Sequence, residues 1–345
     1  MTGGGRRVSR VAGDLADLAA LHAVVDAAYS DGDPDFPSSR LPELVVAATR
    51  PPPSRHLELW LLRVDDVPVA GAIANVPDLD NRDQAGVELG VLPDHQHQGH
   101  GRFLLDAVLS DLQKQGRTRI LADIGEPPGG GPTRGREVAV AAGAVSSLEE
   151  VRRTLRLDDL DEAALRSLHA AATPCAAGYE LDGWTGRTPD HLAEGYAVLA
   201  GRMSTDAPQG DLDTEPEVWD VARVRTRDDF LEAQGRVPVC TVARHVASGE
   251  LVGYTDIGTT LHDVETAFQW DTIVHPEHRG HRLGLLMKLA NLDRVRAVAP
   301  RARRIHTWNA DVNTHMNAIN DAMGFVPTRH VVTWRLDLEG ANDRV

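Results

Sequence analysis

Two stretches, one in each half of the chain, concentrate residues able to do chemistry. The first runs Glu88-Leu89-Gly90-Val91-Leu92-Pro93-Asp94-His95-Gln96-His97-Gln98-Gly99-His100-Gly101-Arg102. The second runs Asp271-Thr272-Ile273-Val274-His275-Pro276-Glu277-His278-Arg279-Gly280-His281-Arg282-Leu283-Gly284. Each reads as an apolar strand, a proline-ended turn, a glycine-bearing loop and the start of an amphipathic helix. That combination suits an anion. Unpaired N–H groups point out of a helix N-terminus, the helix dipole adds positive charge, and glycine lets backbone approach a pyrophosphate closely. A glycine loop also has a plainer reading as tight packing. Neither the Lys-Ser/Thr of a P-loop nor a GxGxxG fingerprint accompanies it. A carboxylate heads each stretch, Glu88 in one and Asp271 in the other, at the same place relative to the loop. Either could take a proton from a reacting group, and either could be a solvated strand-edge acid. Glu265 is a further, weaker base candidate. His95, His97 and His100 cluster, as do His275, His278 and His281. No His pair at i,i+4 on one helix and no neighbouring Cys joins them, so no metal site is expected.

The elements that would position these residues follow from periodicity. In the first half, strands are expected near 8–11, 57–64, 67–75, 87–92, 119–123 and 149–157, and helices over 15–29, 41–48, 102–115 and 136–142. The Pro- and Gly-rich run 126–132 reads as a loop. An acidic helical connector follows over 158–172. The same order then returns: strands near 179–184, 237–245, 251–259, 268–274, 305–308 and 329–336, and helices over 189–203, 216–234, 283–298 and 313–323. This internal repeat implies an α/β architecture, with helices on a mixed sheet, built twice. The expected division is residues 1–158, a connector over 159–175, and residues 176–345.

Composition narrows the class. A chain of 345 residues suits two domains. Its net charge of −15 disfavours nucleic acid as the main partner. No apolar run is long enough for a membrane span, and the N-terminus lacks a signal-peptide core, so a cytoplasmic location is the expectation. The two cysteines, Cys175 and Cys240, form no CxxC pair. The acidic run Asp206, Asp211, Asp213, Glu215, Glu217 reads either as a solvated loop or as an entrance for a cationic molecule.

The residue pattern resembles the GNAT N-acetyltransferase superfamily. Its signature of Gln or Arg, two residues, Gly, one residue, then Gly or Ala is met in full by Gln96, Gly99 and Gly101, behind Leu89, Val91 and Pro93. Arg279 and Gly284 meet its ends, behind Val274 and Pro276, with Arg282 at the middle Gly. A second family element is met by Asn313, Ala318 and Gly324-Phe325, with Asn320 where the family has Tyr. In the first half Gly143 alone matches that element, with Pro132 and Ala139 at its Asn and Tyr positions. Two such halves resemble the tandem members of the superfamily, mycothiol synthase among them.

The resemblance implies two GNAT acyltransferase domains, the N-terminal one binding CoA without catalysis and the C-terminal one catalytic. It implies acetyl-CoA as co-substrate and no metal. The reaction would move an acetyl group to a primary amine of a small molecule by direct attack. CoA would be held by Leu89, Val91, Gln96, His97, Gln98, Gly99, His100, Gly101 and Arg102 in one half. In the other it would be held by Thr272, Ile273, Val274, Arg279, Gly280, His281, Arg282, Leu283, Gly284 and Asn313. Asp271, Glu265, Asn320 and Glu88 are the catalytic candidates, although an amide such as Asn320 cannot titrate. The alternative is a sensor that binds acyl-CoA without turnover. The acceptor and the oligomeric state stay open.

Overall fold

The structure is a computed structural model, describing residues 5–128, 131, 133–206, 208–212 and 214–338. Pro132 and Asp213, named above, lie outside the described residues. The chain divides into two compact units. One comprises Met1–Gly125, Pro132–Ser147 and Val332–Val345; the other comprises Glu126–Gly131 and Leu148–Val331.

The first unit contains β1 (Arg6–Arg10), α1 (Leu15–Ser30), α2 (Leu41–Thr49), β2 (Arg55–Val64), β3 (Val67–Pro77), β4 (Gln84–Val91), α3 (His100–Lys114), β5 (Arg119–Glu126) and α4 (Arg134–Ala141). Its sheet runs β1-β2-β3-β4-β5, antiparallel except for the parallel pair β4/β5. The turn Asp65-Asp66, both residues at positive φ, closes the β2–β3 hairpin. Asp14 caps α1 by accepting from the N–H groups of Ala16 and Asp17. Leu18, Leu21, Val24 and Val25 bury one helical face, as the i, i+3, i+4, i+7 spacing requires.

The second unit takes up β6 (Val145–Arg156) from Leu148, then α5 (Glu162–Ala172), β7 (Tyr179–Thr185), α6 (Asp190–Asp206), α7 (Val221–Ala233), β8 (Arg236–His245), β9 (Leu251–Thr260), β10 (Thr266–Val274), α8 (Leu283–Val298), β11 (Arg304–Ala310), α9 (Thr314–Met323) and the start of β12 (Val326–Asp337). Here the order is β7-β8-β9-β10-β11-β6, with β10/β11 the parallel pair. β6 pairs with β11 from Arg156↔Arg304 to Glu150↔Ala310. The expected boundaries at 158 and 175 therefore both fall inside this unit. Conversely, Val332–Asp337 belongs to the first unit, where Thr333 Oγ1 donates to Asp123 Oδ1 at 2.7 Å. Burial of Leu285, Leu289 and Leu292 of α8 against Leu155, Ile305 and Phe325 anchors the second core.

One feature recurs in both units and positions the site. The parallel strands part after a short paired stretch. β4 and β5 pair from Gln84↔Arg119 to Gly86↔Leu121, and β10 and β11 from Thr266↔Arg304 to Phe268↔His306. Beyond these points neither parallel pair continues.

Candidate active site

Both strand–loop–helix elements fold alike. In the first unit the loop passes through left-handed backbone at His97 (φ 58) and Gly99 (φ 76), and α3 begins at His100. In the second it passes through Gly280 (φ 89) and Arg282 (φ 57), and α8 begins at Leu283. Each loop thus needs two left-handed residues, and each supplies one glycine, at opposite positions. Arg282 accordingly replaces the signature glycine without changing the loop's path, at the strain cost of a side chain in that region. The residues opening the signature hold the loop to its strand: Gln96 Nε2 donates to Val91 O at 3.2 Å, and Arg279 Nε to Val274 O at 3.1 Å. Gly101 lets α3 approach the sheet, since a Cβ there would lie 3.3 Å from Val91 Cγ2. Arg6, unremarked in the sequence, donates to the carbonyl of Gln98 at 2.7 Å and brings a cation to the first loop.

The other expected CoA residues divide by what their side chains already do. Leu283 is buried, so only its backbone faces the loop. Arg102 is exposed and pairs with Asp106. Asn313 caps α9, accepting from Met316 N–H. His281 Nδ1 lies 3.1 Å from Cys175 O. His100 is buried, with Nδ1 unpartnered among the described residues, and lost hydration followed by the Arg6 cation lowers its pKa. Tyr179 hydroxyl meets His278 Nδ1 at 2.9 Å. Among the described residues no group of three or more His, Cys, Asp or Glu could hold a metal ion, and no helix is long and apolar enough to cross a membrane.

Asp271 lies in a β-bulge. The β9–β10 register shifts between Gln269↔Ile257 and Thr272↔Thr255, placing an extra residue on β10. The buried Gln269 amide fills the irregularity, donating to Asp256 O at 2.8 Å and to Asp271 O at 3.1 Å. Thr255 and Thr272 join hydroxyls at 2.7 Å beside it. Freed from the ladder, Asp271 N–H donates to Asp256 Oδ1 at 3.0 Å, while Arg227 Nη2 donates to Asp256 Oδ2 at 2.6 Å. Tyr254 hydroxyl donates to Asp271 Oδ2 at 3.0 Å. Burial first, then the neighbouring Asp256 carboxylate, push Asp271 up to about 7, against the opposing pull of Tyr254 and Arg227. A carboxyl poised there can accept a proton near neutral pH.

Asp271 opens on a cavity of about 310 Å³, lined also by Tyr196, Met203, Ser204, Glu217, Trp219 and Arg227. Of the acidic run, Glu217 thus reaches this cavity, and Asp206 pairs with Arg202 and Arg279. Two expected catalytic residues are not brought to it. Glu265 lies at the opposite end of β10, exposed and facing Arg303. Asn320 is fully buried, its Nδ2 donating to Asn309 Oδ1 at 2.7 Å. Tyr254, Asp256, Gln269 and Arg227 were missed. Their signal in the sequence was faint: polar residues interrupting the apolar patterns of β9 and β10.

The first unit holds the same frame with different contents. Glu88 pairs in unbroken register with Ile73. Gly71 and Gly90 face each other where the second unit pairs Tyr254 with Ile273. A Cβ on Gly71 would strike Leu21 Cδ1 at 2.4 Å, and one on Gly90 would strike Ala28 Cβ at 2.7 Å, so α1 occupies the space that Tyr254 takes in the other unit. Tyr29 hydroxyl is hydrogen-bonded at the Leu89 amide. Glu88 touches solvent, yet close packing strips part of its hydration. That loss first, and then Asp123, raise its pKa.

Residues 21–127 match the acetyltransferase (GNAT) family. Across the whole chain, the fold is similar to a tandem GNAT protein from the clavulanic acid biosynthesis pathway, solved without acetyl-CoA. The two share 28% identity at a TM-score of 0.79, over 96% of this chain and 98% of that one. A GCN5-related N-acetyltransferase from Sphaerobacter thermophilus shares the fold at 15% identity and a TM-score of 0.64, over 96% of this chain and 95% of that one. No curated protein matches. The chain therefore carries an acetyltransferase domain of the GNAT family within a tandem GNAT fold. At the level of that family, the fold supports acyl transfer from an acyl-CoA.

Proposed function

We propose that the second unit is an N-acetyltransferase that moves an acetyl group from acetyl-CoA to a primary amine of a small molecule. The observation that carries this reading is the Asp271 carboxyl, raised to about 7, set in the bulge of β10 and open to a cavity lined also from α6 and α7. The backbone N–H groups at the start of α8, with Arg282 beside them, suit the pyrophosphate of the co-substrate, and Thr272–Val274 suit its pantetheine arm. Bound acetyl-CoA supplies the activated carbonyl. Asp271 takes the proton that the amine must lose. The amine nitrogen bonds to the carbonyl carbon as the carbon–sulfur bond breaks, and the thiolate takes up a proton from solvent. Asp256 and Tyr254 orient Asp271, one through its backbone and one through its carboxylate.

The first unit, on this reading, binds CoA through the Gln96–Gly101 loop without catalysing transfer. Its lack of a bulge, and the closure of the Tyr254-equivalent space by α1, support that role. Because the acceptor is unidentified, thiol release from acetyl-CoA over an amine panel tests the whole reading. Asp271→Asn is expected to lower turnover about a hundredfold or more and to leave acetyl-CoA binding intact, whereas Glu88→Gln has little effect. The opposite pattern assigns catalysis to the first unit. Binding of acetyl-CoA with no thiol release from any amine makes the protein an acyl-CoA sensor.

A further inference from the structure

The two sides of one buried carboxylate bring opposite charges to the cavity. Asp256 Oδ1 holds the backbone N–H of Asp271 at 3.0 Å, and Asp256 Oδ2 holds Arg227 Nη2 at 2.6 Å. The base and a guanidinium are therefore immediate neighbours, and both line the same cavity. Arg227 carries five N–H donors in a planar fork, of which this contact engages one end. Its guanidinium lies 5.6 Å from the Tyr196 ring and 5.5 Å from the Trp270 ring, which hold its plane.

Among the other lining groups, Glu217 is already partnered by Trp219 Nε1 at 2.8 Å and Arg223 Nη2 at 3.1 Å. The lining also offers the apolar surface of Ala200, Met203 and Trp219. The cavity of about 310 Å³ lies at the small end of ligand sites.

We propose that the acceptor is a single free amino acid with an apolar side chain, its amine at Asp271, its carboxylate on Arg227 and its side chain against Met203 and Trp219. This rests on the acetyltransferase reading of the second unit and narrows its acceptor.

The test uses matched trios: methionine and leucine, each with its amide and its decarboxylated amine, assayed on the full chain with acetyl-CoA. The free acid is expected to give a kcat/KM at least about tenfold above both partners. An amino amide has the less basic amine, so chemistry alone would favour the amide, and a preference for the acid reports the carboxylate seat. Arg227→Lys is expected to slow all three compounds and to shrink the acid-to-amide ratio about tenfold. Equal turnover of amide or amine overturns the proposal while leaving the acetyltransferase reading intact, as does a ratio unchanged in Arg227→Lys. If no compound of the trios releases thiol while another amine of the panel does, the amino-acid proposal is overturned and the acetyltransferase reading stands; if no amine at all releases thiol, the acetyltransferase reading fails. Calorimetry then decides the seat alone, where tighter binding of methionine than of methioninamide supports it and equal or absent binding overturns it.

Discussion

Tyr254 donates its hydroxyl hydrogen to Oδ2 of Asp271 across 3.0 Å, from a register position on β9 that Gly71 holds on β3. This bond favours the ionised carboxylate and so works against the burial that raises Asp271. Tyr254→Phe removes it. The acidic limb of the kcat/KM profile, expected near 7 in the parent because the base must be deprotonated, should move up by about one unit. A limb that stays in place would mean that Asp271 is not the titrating base.

Arg282 gives a stability prediction that is separate from its proposed role in binding. It sits at φ 57 and ψ 15, where Gly99 sits at φ 76 and ψ 10 in the other loop. Arg282→Gly relieves a left-handed side chain and should stabilise by about 1 kcal/mol, raising Tm by about 2–4 °C. Acetyl-CoA binding should weaken at the same time, more at low salt than at high, because a charge-assisted contact is lost. Binding unchanged across ionic strengths would reduce Arg282 to a surface residue.

Gly101 is expected to be needed by the ligand more than by the fold. A Cβ there meets Val91 Cγ2 at 3.3 Å, a contact that small adjustments relieve. Gly101→Ala should therefore leave thermal unfolding close to the parent and weaken CoA binding in the first unit. Calorimetry with unchanged stoichiometry and affinity would refute this.

Lys288 is buried on α8, its ammonium 5.5 Å from the Phe325 ring centroid, and burial lowers it to about 7. Between that value and about 10.4 the unfolded chain holds a proton that the folded chain does not, so stability rises with pH across that window. Below about 7 the full penalty of charging the site is present. Lys288→Met should raise the unfolding free energy read from urea titration at pH 7, by an amount on the order of a few kcal/mol at most, and the gain should shrink as pH approaches 10. A gain independent of pH would show that packing, not charge, is responsible.

What the amino-acid order determines here is local. Helix α8 occupies the expected 283–298, and the strand–turn–loop–helix elements fall where Pro93, Gly99, Pro276 and Gly280 put them, because neighbours in sequence decide caps, turns and left-handed positions. Asp271 stood out as a candidate by its place before a loop. The rest of the site did not. Asp256, Arg227 and Tyr196 approach Asp271 from β9, α7 and α6, and only sheet register and helix packing bring them together. The bulge depends on Gln269 reaching back across the strand pair, so no periodicity announces it. The sharing of β6 and β12 between the two units is likewise decided by long-range strand pairing, since an apolar strand's pattern says which face is buried but not which neighbour it joins.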